Sequence, residues 1–388
     1  MFLRHLLLAS IFCCPALLAA QSDFHELDFA AGKALFDRNW VPAPASTTSA
    51  DGLGPHYSAR SCLACHPRAG RGEVPAGFSL HLDDPIYGKR LQPFSITGAR
   101  REAALSWEAP VAEAPEPEAG MWRYRLEELA HGAPQSAVSL RLAPSLLGLG
   151  LLEAVPVSAL QALADPDDRD GDGISGRLAQ LPDGRIGRFG WKATGATLQE
   201  QLTLALALDL GLSSEALPAP WGDCTEAQQD CRTLALDTVD TRQPLEADAT
   251  TVKLMQHYLS RLPPPAAPVG EEGATLFAAL GCAGCHVPAL PSPLSPLGEV
   301  AAYTDLLLHD LGEGLDDGLA EGAAAADEWR TAPLWGLGES GPFLHDGRAR
   351  TLDEALHWHG GEASASRAAW QALDESGRAA LSAFLFGL

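Results

Sequence analysis

The chain has 388 residues, with 50 acidic against 27 basic side chains and a formal net charge of −23 at pH 7. That balance argues against nucleic acid or an anionic membrane surface as a partner. It is compatible with a basic protein docking on the chain, and equally with acidity that serves only solubility. The length is enough for two domains, each with its own core.

In chain order, Arg4, the apolar run Leu6–Leu18 and the small residues Ala19-Ala20 read as a secretory signal peptide over residues 1–20, cleaved before Gln21. The expected location is therefore the periplasm. The run is too short to span a bilayer, and no later stretch is long and apolar enough, so no membrane span is expected. Cys13 and Cys14 leave with the leader. Residues 24–40 place Phe29, Leu35 and Phe36 near one helical face, and Val41-Pro42-Ala43-Pro44 ends that helix.

Cys62-Leu63-Ala64-Cys65-His66 follows, and its pattern returns at Cys282-Ala283-Gly284-Cys285-His286. In C-x-x-C-H the two sulfurs add to the vinyl groups of one haem, and the adjoining histidine is held close enough to ligate its iron. Paired cysteines also bind zinc or form thioredoxin-like redox pairs. The trailing histidine and the exported compartment favour two covalently bound haem c groups. Of the cysteines left after cleavage, only Cys224 and Cys231 fall outside the motifs. They read as a local disulfide whose loop closure contributes roughly 2.5 kcal/mol at most.

Other segments repeat around the two motifs. Gly32-Lys33-Ala34-Leu35-Phe36 matches Gly273-Ala274-Thr275-Leu276-Phe277, and Arg141-Leu142-Ala143-Pro144 matches Arg330-Thr331-Ala332-Pro333. Thr197-Leu198-Gln199-Glu200 likewise matches Thr351-Leu352-Asp353-Glu354. These echoes imply an internal duplication. The fold class expected is mostly α, with two cytochrome c-like haem domains and loop-rich insertions. The first domain spans 21–260, a stiff proline-rich linker 261–270, and the second domain 271–388. A short strand is expected at Phe78–Leu82. Asp168, Asp170 and Asp172 with Gly173 match the first half of an EF-hand loop, but Ala179 stands where its bidentate glutamate belongs. Calcium and a solvated acidic turn both stay open there.

Both haem motifs, the Arg-x-Ala-Pro loops and Phe343-Leu344-His345-Asp346-Gly347-Arg348 resemble those of the di-haem oxidoreductase, putative peroxidase family. More distantly the chain is similar to bacterial di-haem cytochrome c peroxidases and to the di-haem enzyme that matures a tryptophan-derived quinone. The resemblance implies a six-coordinate electron-relay haem in the C-terminal domain, a reactive haem in the N-terminal domain and a tryptophan between them. In these relatives a methionine or tyrosine ligates the relay iron fourteen positions after the histidine of a His-x-Gly loop. Counting from His345 gives His359 (345 + 14), so His286 and His359 are the expected ligand pair. His357, Met255 and Met121 are the other candidates.

At the first motif the resemblance implies His66 as proximal ligand. The family's distal glutamate turn matches Asp209-Leu210-Gly211, which makes Asp209 the candidate proton shuttle. His81 is either a distal ligand or an ordinary strand histidine. Trp191 matches the tryptophan between the haems, and His309 and His345 match groups near the second haem. The expected function is a peroxidase-like oxidoreductase, with a small cytochrome or copper protein as electron donor and peroxide or a protein as substrate. The alternatives are a non-catalytic electron carrier and an accessory redox protein in periplasmic iron handling.

Overall fold

The computed structural model describes residues 15–46, 50–110, 121–238, 245–265, 271–339 and 341–388. The expected leader falls mostly outside them, as do residues 266–270 of the expected linker. Among the described residues no helix is long and apolar enough to cross a membrane.

Two helix crossings organise the chain. The helix Pro15–Asp37 packs on Ala249–Ser260, and the helix Glu271–Ala279 packs on Glu375–Gly387. Each crossing is made close by a glycine. A Cβ on Gly32 would lie 2.1 Å from the Leu254 carbonyl oxygen, and one on Gly273 would lie 2.2 Å from the Phe384 Cβ. One turn on, Phe36 meets Tyr258 with ring centroids 5.4 Å apart, and Phe277 meets Phe384 at 5.6 Å. The repeated Gly-x-x-x-Phe is therefore a repeated packing device: glycine admits the neighbouring helix, and phenylalanine fills the space beside it.

The apolar core around the first crossing includes Phe36, Trp40, Leu206 and Met255, all essentially inaccessible to solvent, with Cys62 packed at its margin. The core around the second includes Phe277, Trp370, Leu381 and Phe384. A third cluster joins Leu152, Val155 and Leu160 to Leu290, Val300 and Trp335. The two copies of Thr-Leu-x-Glu begin the helices Leu198–Asp209 and Leu352–His357, where Thr197 and Thr351 accept the N–H groups of Glu200 and Glu354.

The fold class departs from the expectation. Helix accounts for 33% of the chain and strand for 16%, so the protein is mixed α/β with several small sheets. The strand content concentrates in the segment between the first haem motif and the Arg141 loop. There Phe78–Asp84 lies between Gly88–Leu91 and Ser139–Leu142, and a separate hairpin pairs Ala104–Glu108 with Arg123–Glu127. Phe78, Leu80 and Leu82 face inward in alternation, which the sequence displays. The remaining strands among the described residues are two or three residues long. That is too short for a period of two to stand out, so their pairing is set by tertiary contacts.

Asp84 closes this sheet region. Its Oδ1 accepts from the N–H groups of Ile86 (2.9 Å) and Tyr87 (3.1 Å), and its Oδ2 from those of Gln135 (2.5 Å) and Ser136 (3.1 Å). Burial by itself would raise its pKa, but the four donors outweigh burial and hold it below 3.8. Because the folded-state pKa is depressed, this stabilisation is present above pH 3.8 and is lost as the pH falls through the lower folded value. Asp84→Ala is expected to cost about 2–4 kcal/mol at neutral pH in urea unfolding monitored by tryptophan fluorescence, and markedly less near pH 3. An equal cost at both pH values would contradict the assignment.

Candidate haem sites

Each C-x-x-C-H motif forms one tight turn. Ser61 caps the turn Cys62–Cys65 by accepting the Ala64 N–H at 3.2 Å, and the His66 N–H closes on the Cys62 carbonyl at 2.8 Å. In the second copy the turn Cys282–Gly284 is closed by the His286 N–H on the Cys282 carbonyl at 3.0 Å. The four motif cysteines are free thiols, and burial raises the pKa of every one of them.

The imidazoles are set for coordination. His66 Nδ1 lies 2.9 Å from the Pro144 carbonyl and His286 Nδ1 lies 3.0 Å from that of Tyr303. A carbonyl only accepts, so Nδ1 carries the proton and Nε2 is the electron-donating nitrogen. His359 has the same arrangement, with Nδ1 2.7 Å from the Ala355 carbonyl. Burial lowers His66 and His286 to about 4 and also lowers His359, so all three rings are neutral, as metal ligation requires.

The second motif opens onto a cavity of about 260 Å³. Cys282, Cys285, His286 and His359 line it, with apolar walls that include Leu147, Phe277, Leu334, Phe343 and Leu385. His359 is near enough that a proton on either imidazole disfavours a proton on the other. His357 is exposed and borders a different, more open depression with Trp358 and Arg367. Met255 is buried in the core of the first crossing, and Met121 is half-buried beside the hairpin strand Arg123–Glu127.

The first motif has a different neighbourhood. Asp209 ends the helix Leu198–Asp209, and its carbonyl accepts from Ser58 N–H (2.7 Å) and Ala59 N–H (3.3 Å), in the segment leading into Cys62. Its carboxylate is close enough to push the Cys62 and Cys65 pKa values upward. Burial raises the pKa of Asp209 itself, and Arg90 opposes the rise. The Asp209 Oδ1 and Arg90 Nε atoms are 3.4 Å apart, and both are buried without a hydrogen-bond partner among the described residues. They face each other as an ion pair without a well-aligned hydrogen bond.

His81 lies on the strand Phe78–Asp84, half-buried. Its Nδ1 is 3.3 Å from the Arg141 guanidinium and its Nε2 3.0 Å from the Ser79 hydroxyl. The guanidinium only donates, so Nδ1 accepts and Nε2 carries the proton, a tautomer opposite to that of the three nominated ligands.

Trp191 lines the second cavity and donates its indole N–H to the Leu142 carbonyl at 2.8 Å. Its ring meets Trp329 edge-on, with centroids 6.4 Å apart, and Trp329 stacks on His345 at 3.8 Å. Lys192 Nζ sits 3.9 Å above Trp329, and the Arg71 guanidinium lies 5.5 Å from the Trp191 ring centroid. Arg71 also bonds the carbonyls of Pro342 (2.8 Å) and Leu344. Trp329, Arg71 and Arg90 are the residues that sequence reasoning did not single out. Trp329 directly precedes the repeated Arg330-Thr331-Ala332-Pro333 loop, whereas the arginines carried no local signal.

His309 lies 2.8 Å from Asp305 Oδ2 and 2.7 Å from Glu362 Oε2 through its two nitrogens. Burial opposes its charge, yet bonds to Asp305, Cys285 and Glu362 raise its pKa to about 12, and both ring nitrogens are engaged by carboxylates. Asp168, Asp170 and Asp172 converge with carboxylate oxygens within 4.8 Å of one another. Their loop is tied to the second site, because Ser175 donates from its backbone N–H and its hydroxyl to Glu362, both at 2.9 Å.

A family model described as di-haem oxidoreductase, putative peroxidase, matches residues 135–388. The chain belongs to this di-haem oxidoreductase family. The matched span holds the second motif and the Arg141 loop, and the first motif lies upstream of it. Among solved structures, the chain is similar to the diheme peroxidase BthA from Burkholderia thailandensis E264, at 18% identity and a TM-score of 0.43, covering 93% of this chain and 86% of that one. It is also similar to Kuenenia stuttgartiensis hydrazine synthase pressurised with xenon, at 14% identity and a TM-score of 0.33, covering 92% of each. A search of curated proteins returns no match.

For a di-haem oxidoreductase the residues present fit two haems. At the second site the paired thiols, the neutral imidazoles with Nε2 unprotonated and an apolar cavity lined by both His286 and His359 would suit a covalently held haem, and the first site repeats the thiol pair and the neutral imidazole of His66. In the haem-loaded protein His359→Ala is expected to convert one low-spin ferric signal to high spin, measured by low-temperature electron paramagnetic resonance. His357→Ala is expected to leave the spectrum unchanged, and the reverse pattern would reassign the ligand.

Proposed function

We propose that the chain is a periplasmic, peroxidase-like di-haem c oxidoreductase. It accepts electrons from a small cytochrome or copper protein at the C-terminal haem, held by Cys282, Cys285, His286 and His359. It reduces peroxide, or oxidises a bound partner, at the N-terminal haem held by Cys62, Cys65 and His66. The observation that carries the reading is the inequality of the two sites. His286 shares its cavity with a second neutral imidazole, whereas the first motif is accompanied by a half-buried carboxyl–guanidinium pair, Asp209 and Arg90. Bound in these places, haem supplies one-electron transfer and the cleavage of a peroxide O–O bond.

The protein's own contributions follow from its geometry. Asp209, with its pKa raised by burial, is suited to hold a proton on its carboxyl and release it. Arg90 beside it is suited to stabilise negative charge. The Nδ1–H bonds of His66 and His286 orient both rings. Trp191, fixed by its bond to Leu142 and packed on Trp329, offers a continuous aromatic path beside the second haem cavity.

Calcium belongs to this reading at Asp168, Asp170 and Asp172. The same loop places Ile174 against Gly284 of the second motif, where a Cβ on the glycine would lie 2.4 Å from the isoleucine Cδ1. Elemental analysis of purified holoprotein is expected to find one calcium per chain that EDTA removes. Finding none removes calcium from the account.

The deciding experiment is electron paramagnetic resonance of the ferric protein with and without stoichiometric hydrogen peroxide. One high-spin and one low-spin haem are expected, with the high-spin signal lost on adding peroxide. Two low-spin haems indifferent to peroxide, also after one-electron reduction, would replace the enzyme with an electron carrier.

A further inference from the structure

A set of contacts outside both haem motifs ends on the Asp209–Arg90 pair. The strand Gly88–Leu91 is an edge of its three-stranded sheet, with Arg90 opposite His81, and its register slips between His81 and Asp84. Edge-strand N–H groups need acceptors from outside the sheet. At the slip two successive N–H groups turn toward one atom. Asp223 Oδ2 accepts from Lys89 at 2.6 Å and from Arg90 at 2.7 Å. The fit leaves no room for a side chain at Gly88, whose φ is +80° and whose Cβ would lie 2.7 Å from the Asp223 carboxyl carbon.

The loop that carries Asp223 is itself held at both ends of this contact. The Cys224–Cys231 disulfide fastens it to the first turn of the helix Gln229–Thr238. On its other side Gly222 packs against the backbone that follows Asp209, where its Cβ would lie 2.8 Å from the Gly211 Cα and 2.9 Å from the Ala207 carbonyl oxygen. One short loop thus touches the main chain of Arg90 and the main chain on either side of Asp209, at Ala207 and Gly211.

We propose that Asp223 is a positioning residue for the first haem site: its carboxylate fixes the backbone of Arg90 and thereby sets the guanidinium beside Asp209. The proposal rests on the reading of Asp209 and Arg90 as the polar groups of the reactive site. It gives the disulfide a purpose that a general staple would not have, because cross-linking the residue next to Asp223 limits how far the carboxylate can drift. It also explains why a carboxylate stands where water would satisfy exposed N–H groups. A fixed acceptor removes the freedom of the strand edge, and water does not.

The test uses the haem-loaded full chain carrying Arg90→Ala, Asp223→Ala, both together, or Asp223→Asn. Two readouts are taken: the second-order rate of hydrogen peroxide consumption and hydrogen–deuterium exchange over residues 88–91. If Asp223 acts through Arg90, each alanine variant loses about tenfold in rate and the double variant loses no more than either alone. Asp223→Asn restores most of the rate, since an amide oxygen still accepts both N–H groups. Exchange over 88–91 speeds up in Asp223→Ala and stays slow in Arg90→Ala and Asp223→Asn. Losses that multiply to about a hundredfold in the double variant would overturn the proposal, as would unchanged exchange in Asp223→Ala. A protein that consumes no peroxide but shows the exchange pattern would sink the peroxidase reading and leave Asp223 as the holder of Arg90.

Discussion

The structure depends on a proton held at Nδ1. His66 binds that proton to a carbonyl 78 residues further on, and His286 does the same across 17 residues. Each bond joins a five-residue motif to a loop that local sequence does not bring near, and each fixes the tautomer that makes Nε2 the donor. Once those loops are required to stand beside the histidines, much of the remaining fold has the task of carrying them there. The helix crossings at Gly32 and Gly273 supply the rigid ends, and the strands between Phe78 and Leu142 fill the longer return path of the first copy.

That difference in path length explains what was legible in the sequence. The haem motifs, the glycine–phenylalanine helices and the threonine-capped helices all depend on residues within a few positions of one another, and they stand out as repeats. The Arg141 and Arg330 loops also repeat, but the structure uses them unequally. Pro144 provides the carbonyl for His66, whereas Tyr303, well before Arg330, provides it for His286. A repeat in sequence does not guarantee the same partner. The sheets were underestimated for the same reason, since two-residue strands such as His56–Tyr57 and Phe94–Ser95 exist through pairing across 37 and 39 residues (94 − 57 and 95 − 56) and have no periodicity of their own.

The candidate sites divide similarly. Cys62, Cys65, His66, Cys282, Cys285 and His286 are adjacent in sequence, and their geometry follows from a single turn. His359 was implied by the resemblance, counted from His345, and the structure puts it on the same cavity as His286. Arg90, Arg71, Trp329 and Asp223 were not reachable in that way. Each acts at a place supplied by a distant part of the chain: Arg90 on Asp209, Arg71 on Pro342 and Leu344, and Asp223 on Lys89 and Arg90.

The buried contacts between the two halves have a consequence for how the protein responds to salt. Arg141 pairs with Asp317 at 2.9 Å with both side chains shielded, at 2% and 4% exposure, and Arg71 is spent on carbonyls of the loop before His345. Dissolved ions screen charges at the surface over about 8 Å at physiological strength, but they reach buried pairs poorly. Raising ionic strength therefore loosens whatever docks on the acidic exterior while leaving the union of the two halves intact. The spacing inside the molecule is therefore insensitive to the ionic strength of the medium.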